Sequence, residues 1–436
     1  MSNDPRLRPG APQRLVITLW DFTWFTRTGP GEPFEDLDAA CAQARERGYN
    51  TIRICAAPFL LFRSGLDTTA IEIEPMGHGT AVGERYWQGV RWYDVPQVTV
   101  VDVRAQLLAL FRAADRHDLF VIASSWEYQQ TPAFASDPAW YEALHAVEPE
   151  QRAVVLADAH ADLVDMLDAE GLGRRLLLTE LHNEVQIGHL IEGLGTARGE
   201  ESVPALTPRL EAGIARFRER HPDRPVTVNY AGVPFAHMST LPRDLDALVV
   251  HPYVYGVLDE LIATYGMRGP TADFDNDKAR ELLQPDAPDL ADWQLPPEKA
   301  WKLKATIVCE PEMYVHDWCD PAAFDRWLYE RWGEHRRTMT DRLTTWLAVA
   351  ADAAGARDIP LILGEGYVGY TPRHGRFEEG PVGAELCRLA VREAAERDAW
   401  GAVVCSNAAP HHSMWSDITL QRECAAIFAG RHQPTD

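Results

Sequence analysis

The sequence predicts an α/β chain folded as a (β/α)8 barrel, on three observations. Eight short β-type runs alternate with helical stretches from end to end, the pattern of βα units around a parallel sheet. Most of these runs are apolar almost without alternation, as strands covered on both faces are. The first run leads into WDFTWFTRTGPG, aromatic where a dinucleotide-binding sheet would place G-x-G-x-x-G, which counts against an open doubly wound sheet.

In chain order the runs are Arg14–Trp20, Tyr49–Cys55, Leu119–Ser125, Arg175–Leu181, Pro225–Tyr230, Asp246–His251, Ile359–Glu365 and Trp400–Ser406. Amphipathic helices lie between them. In FEDLDAACAQARERG, Leu37, Cys41 and Ala44 share a face and Gly48 supplies a stop. The stretches VDVRAQLLALFRAADRH, QRAVVLADAHADLVDMLDAEG, PRLEAGIARFRERHP, RTMTDRLTTWLAVAADAAGA and GAELCRLAVREAAERD follow the same plan, and a closing helix is expected near Leu420–Ala429. Residues 56–99 after the second run and 252–336 after the sixth exceed ordinary connections. Both follow strand C-terminal ends, where barrels build their sites, so the expectation is one catalytic barrel over residues 1–436 with two loop insertions at its mouth.

Composition narrows the partners. The chain has 436 residues, 46% apolar and 25% charged, enough for a large core and against disorder. Sixty-five acidic against 42 basic residues give a formal charge of −23 with no basic patch, which argues against nucleic acid and anionic membrane as partners. Apolar runs are far shorter than the ~20 residues a spanning helix needs, and the start, MSNDPRLRPGAPQRL, shows no apolar signal region; the expected location is the cytoplasm. Seven cysteines without a CxxC read as reduced thiols, not as a structural zinc site.

The last residues of each run face the mouth: Trp20 and Asp21, Arg53, Ser125 to Glu127, Glu180 to Glu184, Asn229 and Tyr230, His251 and Tyr253, Glu365 and Tyr367, and Asn407. Glu184 follows the fourth run and Glu365 ends the seventh, nearly opposite across a barrel. Two carboxylates flanking a cleft of Trp and Tyr suit glycoside hydrolysis, one protonating the leaving oxygen and the other attacking the anomeric carbon. An isolated Glu at a helix start is ordinarily a dipole-favoured acid, so the assignment rests on context.

That context resembles a known family. ELHNE at Glu180–Glu184 is similar to the fourth-strand Asn-Glu signature of clan A retaining glycoside hydrolases, the cellulase-like barrels of family 5 and its relatives. GYNTIRI at Gly48–Ile54, HPY at His251–Tyr253 and PLILGEGY at Pro360–Tyr367 resemble that family's second, sixth and seventh strands. Each motif alone is common, but the four stand in register on the matching strands. The resemblance implies Glu184 as acid/base, Glu365 as nucleophile and Asn183 as partner of the sugar 2-hydroxyl. It implies that Arg53 and Tyr253 hold Glu365, that His251 joins the same network, and that no cofactor or metal is required. Trp20, Trp126, Tyr367 and Trp415 are the expected substrate-contacting aromatics. The chain departs from the family pattern in SSWEYQQ at the third strand, in Val185 after Asn-Glu, and in CSNAAPHHSMW after the eighth strand, where Trp415 is the stand-in from the loop.

The expected substrate is therefore carbohydrate: short β-linked oligosaccharides or small glycosides, because both insertions raise the walls of the mouth and Trp87, Trp92, Trp301 and Trp318 are placed to close a pocket. Two other readings are a metal-dependent barrel hydrolase using His182, His251, His411 and His412 with Asp21 or Glu184, and a non-catalytic carbohydrate-binding barrel. Against the first, no H-x-H ends the first strand and no lysine ends a middle strand.

Overall fold

The computed structural model describes residues 10–76, 95–369 and 371–430. Trp87 and Trp92 lie outside these residues. The barrel strands are β1 Leu15–Asp21, β2 Thr51–Cys55, β3 Phe120–Ser124, β4 Leu176–Glu180, β5 in two pieces, Val226–Thr227 and Asn229–Ala231, β6 Leu248–His251, β7 Leu361–Leu363 and β8 Gly401–Val403. Each pairs in parallel with its neighbours, and β1 pairs with both β2 and β8. The first piece of β5 pairs with β4 and the second with β6, so the break at Val228 is where the barrel closes. The chain is thus a (β/α)8 barrel. The outer strands of the expectation survive with shorter bounds: β7 and β8 keep only the residues that carry ladder hydrogen bonds.

Helices Leu37–Glu46, Val103–Arg116, Arg152–Ala169, Val203–Arg220, Pro321–Ala356, Pro381–Glu396 and Ile418–Phe428 cover the strands. Several start where an aspartate caps an orphan amide: Asp36 accepts from Ala39 N, Asp102 from Ala105 N and Asp417 from Leu420 N. Leu37, Cys41 and Ala44 are on the buried face of the first helix, and Gly48 beyond it takes a φ of +95°. Between β5 and β6 the crossover carries only a 3-10 turn, Phe235–Thr240, because few residues separate those strands.

The segment 252–336, read as an insertion, ends earlier than expected. Asp320 caps a 36-residue helix, Pro321–Ala356, with proline in its first turn. Phe324, Trp327 and Leu328 are buried on it, so residues 321–336 are the outward extension of a barrel helix. The part before it folds as short helices, among them Val257–Thr264 and Glu310–Trp318, and 3-10 turns. The other insertion contributes helix Pro58–Phe62 and an antiparallel hairpin of Ile71–Ile73 with Thr99–Val101.

The two insertions are joined through a buried ion cluster. Lys302, fully buried, lies 3.0 Å from Glu74 and donates to the carbonyls of Ala133 and Ala135; Lys299 also pairs with Glu74. Burial pushes the Lys302 ammonium down to about 8 although Glu74 opposes it. Removing one member of a buried pair leaves the other charge uncompensated, at a cost of about 3 kcal/mol. Glu74→Ala is therefore expected to lower the urea midpoint markedly, and an unchanged midpoint would show that the cluster adds nothing to stability.

Among the described residues no helix is long and apolar enough to cross a membrane. All seven cysteines are free thiols, six of them buried and Cys309 half-buried.

Candidate active site

Strand alternation aims Arg53 of β2 into the barrel, where it is fully buried. Such a guanidinium needs carboxylate partners, and it has two. Nε and Nη2 donate to Glu180 Oε2 at 3.0 and 2.7 Å, and Nη1 donates to Glu365 Oε1 at 2.9 Å. Nη2 also reaches Asn183 Oδ1 at 2.7 Å, and the ring of Trp126 lies 4.7 Å from the guanidinium carbon. Burial works against the Arg53 charge, but Glu180 and Glu365 outweigh it and hold its pKa above the ordinary value. One side chain of β2 thereby fixes groups following β4 and β7.

Glu365, two residues beyond β7, uses both oxygens. Tyr253 donates its hydroxyl to Oε2 at 2.8 Å and accepts in turn from Asn407 Nδ2 at 2.6 Å. Glu365 is thus held from three strands.

Glu184 is built differently. It sits four residues beyond β4 with a φ of +44°, an uncommon conformation for a residue with a Cβ and one that the surrounding bonds must maintain. Its amide donates to Asn229 Oδ1 at 2.5 Å, and the next amide, of Val185, donates to Asn229 O at 3.1 Å. Asn229 also donates to Glu180, so this asparagine ties the turn to the Arg53 network. Gln129 Nε2 donates to Glu184 Oε2 at 3.0 Å, while Gln129 Oε1 accepts from Asn183 Nδ2. His251 Nδ1 lies 3.0 Å from Glu184 Oε1.

Electrostatics separate the two carboxylates. Burial pushes the Glu184 carboxyl up to about 7, with Gln129 and Arg53 pulling the other way. Burial also holds His251 down, at about 4, so the ring beside Glu184 is neutral at neutral pH. Glu184 is buried beside a neutral ring, whereas Glu365 bonds a guanidinium. Oxygens of the two carboxylates and a nitrogen of His251 all lie within 4.8 Å of one another. That donor set could hold a divalent cation, but Arg53 already brings a positive charge to Glu365.

A cavity of about 770 Å³ opens above the pair. Trp126, Gln129 and Asn183 line its barrel side; Tyr255, Arg268 and Glu312 line it from the segment after β6, and Trp346 from the long helix. Arg268 and Glu312 face each other in a two-pronged ion pair.

The structure brings together Arg53, Trp126, Asn183, Glu184, His251, Tyr253 and Glu365, and it separates three others from them. Trp20 is a correction: strand parity turns Leu19 and Asp21 to the cavity and Trp20 outward, against Phe34 with ring centroids 5.2 Å apart. Tyr367 is a second, its ring buried and its hydroxyl bonded to Val403 O at 2.7 Å. Trp415 is a third. It stacks on Tyr49 at 5.7 Å under Arg47 and donates to Gln43 in the helix layer. Nor do the insertion tryptophans Trp301 and Trp318 line the cavity, whose aromatic lining is Phe22, Trp126, Tyr253, Tyr255 and Trp346.

One ligand of the metal reading, His182, and the mouth residue Glu127 are also committed elsewhere. His182 accepts from Tyr128 N and its Nδ1 lies 2.6 Å from Asn183 O, so both ring nitrogens are used by the backbone. Glu127 is an anchor, accepting from Phe59 N, Leu60 N, Ser125 and Trp140. The sequence placed Asn229 and Asn407 at the mouth without a role there, and Gln129, within the departing SSWEYQQ, did not stand out as an organiser.

Gln129 yields a pH prediction. If Glu184 donates a proton in the reaction, kcat/KM should fall on the alkaline side as pH rises through its raised pKa of about 7. Gln129 favours the charged form, so Gln129→Ala should move that limb to higher pH. A lowered rate with an unmoved limb would show that Gln129 acts on the fold alone.

The fold is a (β/α)8 barrel, and its strand-end motifs resemble those of cellulase-like barrels. Comparison with known proteins agrees: residues 17–146 match the cellulase-like family model, described as sugar-binding cellulase-like. That stretch holds β1 to β3 with Arg53 and Trp126, while Glu184 and Glu365 lie beyond it. A candidate glycoside hydrolase from Parabacteroides distasonis superposes with a TM-score of 0.67 at 19% identity, over 96% of this chain and 94% of that one. An endo-1,4-β-D-mannanase from Thermotoga petrophila (TM-score 0.47, 11% identity, 89% of this chain and 87% of that one) is also similar. So is a family 5 mannosidase from Rhizomucor miehei (0.48, 10%, 99% and 97%). No curated protein matches the sequence. The resemblance to cellulase-like barrels thus extends from four short motifs to a family model over residues 17–146, and the Parabacteroides distasonis structure shares the fold.

Proposed function

We propose that this chain is a single catalytic barrel that hydrolyses a β-glycosidic bond with retention, acting on short β-linked oligosaccharides or small glycosides. Glu365 attacks the anomeric carbon and Glu184 protonates the leaving oxygen, then removes a proton from the water that releases the sugar. The observation that carries this reading is the separation of the pair. One oxygen of Glu184 and one of Glu365 lie within 4.8 Å of each other, a proximity that favours the ~5–5.5 Å carboxyl separation of retaining enzymes over the ~6.5–9.5 Å that leaves room for an inverting water. Electrostatics support the roles: the raised Glu184 keeps a proton to give, and Arg53 and Tyr253 direct both oxygens of Glu365. Asn183 lines the cavity beside Glu184, placed to meet the sugar hydroxyl next to the reacting carbon. The cavity volume of about 770 Å³ suits a small ligand, and the wall built from Tyr255, Arg268 and Glu312 favours short substrates over a polymer lying across the mouth.

A panel of nitrophenyl β-glycosides tests the activity, and proton NMR of the first-formed anomer tests the stereochemistry. A β-anomer is expected; an initial α-anomer would replace retention by inversion, and binding of sugars without turnover of any glycoside would leave a carbohydrate-binding barrel. Rapid loss of viscosity in a soluble β-mannan or β-glucan would overturn the preference for short substrates.

A further inference from the structure

A second cluster of ligating side chains lies away from the carboxylate pair, on the outer side of the loops that follow β3 and β4. His145 ends helix Ala139–His145, and its Nδ1 lies 3.0 Å from the carbonyl of Tyr141. A carbonyl only accepts, so Nδ1 carries the ring proton and Nε2 carries the lone pair. That Nε2 is buried, makes no hydrogen bond, and lies 3.9 Å from Glu192 Oε1. His189, on the 3-10 turn His189–Ile191, places its Nδ1 2.7 Å from the same oxygen, and the two imidazole rings meet at 77° with centroids 5.0 Å apart. Ligand atoms of His145, His189 and Glu192 all lie within 4.8 Å of one another.

We propose that His145, His189 and Glu192 bind one borderline transition-metal dication of the zinc type, with water completing the coordination. Two imidazoles and a carboxylate oxygen are the donor set such ions take, and bonds of ~2.0–2.2 Å set ligand atoms roughly 3.4 Å apart, so His145 Nε2 closes on Glu192 Oε1 from 3.9 Å while His189 Nδ1 opens from 2.7 Å. His145 is already oriented by its bond to Tyr141 O, the arrangement that outer partners give a metal-bound imidazole. His189 ligates through Nδ1 once its proton moves to Nε2, a change of tautomer that leaves the ring neutral. Arg152 donates to Glu192 Oε2 at 2.7 Å and to His189 O at 2.7 Å, which leaves Oε1 to face the rings. The Arg152 charge opposes a cation, so affinity on the order of micromolar is expected rather than that of a closed structural site.

The position gives the ion a consequence. His189 N donates to Tyr128 O, Tyr128 N donates to His182, and His182 bonds Asn183 O, so hydrogen bonds run from the cluster to Tyr128 and Asn183, the neighbours of Gln129 and Glu184 in the chain. An ion there would brace the loops that carry the acid.

Calorimetry with ZnCl2 on the full chain in ~0.15 M salt tests the site, the salt suppressing diffuse binding to a chain of charge −23. The expected result is one Zn²⁺ per chain, a raised Tm, and binding at least about tenfold weaker in His145→Ala and in His189→Ala. Glu184→Gln/Glu365→Gln should bind as the parent does. Loss of binding in that double variant would place the ion at the catalytic pair and overturn the proposal, as would undiminished binding in both histidine variants or none below ~100 µM. Should the histidine variants fail to fold, Co²⁺ added to the parent and to Glu184→Gln/Glu365→Gln decides between the two positions. Intense visible bands of a four-coordinate site with imidazole ligands in both support the assignment, and their absence overturns it.

Discussion

Glu365→Ala is expected to lose turnover by a factor on the order of 10⁵ while the barrel stays folded. In the proposed mechanism the loss is large because the variant removes the atom that forms the covalent bond, and no neighbour can replace it: Glu184 is committed to the proton transfers, and Glu180 accepts from Arg53 and Asn229 inside the barrel. Stability should change much less. Arg53 would keep Glu180 as its ion-pair partner, so its buried charge remains compensated, and Tyr253 would keep its bond from Asn407. Azide added to the variant should occupy the space left by the carboxylate and yield an α-glycosyl azide from an activated β-glycoside. Circular dichroism and steady-state rates on nitrophenyl substrates check both halves. Turnover within tenfold of the parent would remove Glu365 from the mechanism.

How far the sequence carried can be seen from individual residues. The barrel was legible because parallel strands covered on both faces read as apolar runs, so an arginine inside TIRIC or a glutamate after PLILG stands out as a group that must have a polar partner. Arg53 and Glu365 are such cases, and they meet at 2.9 Å. Trp20 shows the limit. It lies in a fully buried strand, where apolarity no longer reports which face a residue takes, and a parity error of one position exchanges cavity for helix layer. Trp415 was misplaced for another reason: after a strand end, nothing in a loop's composition says whether a ring returns to the mouth or packs beside Tyr49. The segment after β6 was visible only as length, because its 3-10 turns and short helices carry no sustained period. Gln129 was hidden because an amide near a strand end is common; its meaning comes from reaching Asn183 and Glu184 at once.

Glu184→Ala should separate the two steps of the reaction. Protonation of the leaving oxygen matters in proportion to how poor the leaving group is, so an alkyl β-glycoside should lose about 10²–10⁴-fold. A dinitrophenyl glycoside, whose phenolate departs unaided, should form the glycosyl-Glu365 intermediate at nearly the parental rate. That intermediate then accumulates, because the group that would deprotonate water is gone, and steady-state turnover stays low even though a burst of phenolate appears. Azide needs no deprotonation, and in the space left by Glu184 it should attack the intermediate, restore turnover and give a β-glycosyl azide, the opposite anomer to that from Glu365→Ala. The pH profile supplies an independent check. If the proton that titrates near 7 belongs to Glu184, the alkaline fall in kcat/KM should vanish in this variant for the activated substrate, since His251, held at about 4 by burial, is already neutral there. Equal losses on both substrates, no response to azide and an unchanged alkaline limb would mean that Glu184 holds the turn after β4 and does no chemistry.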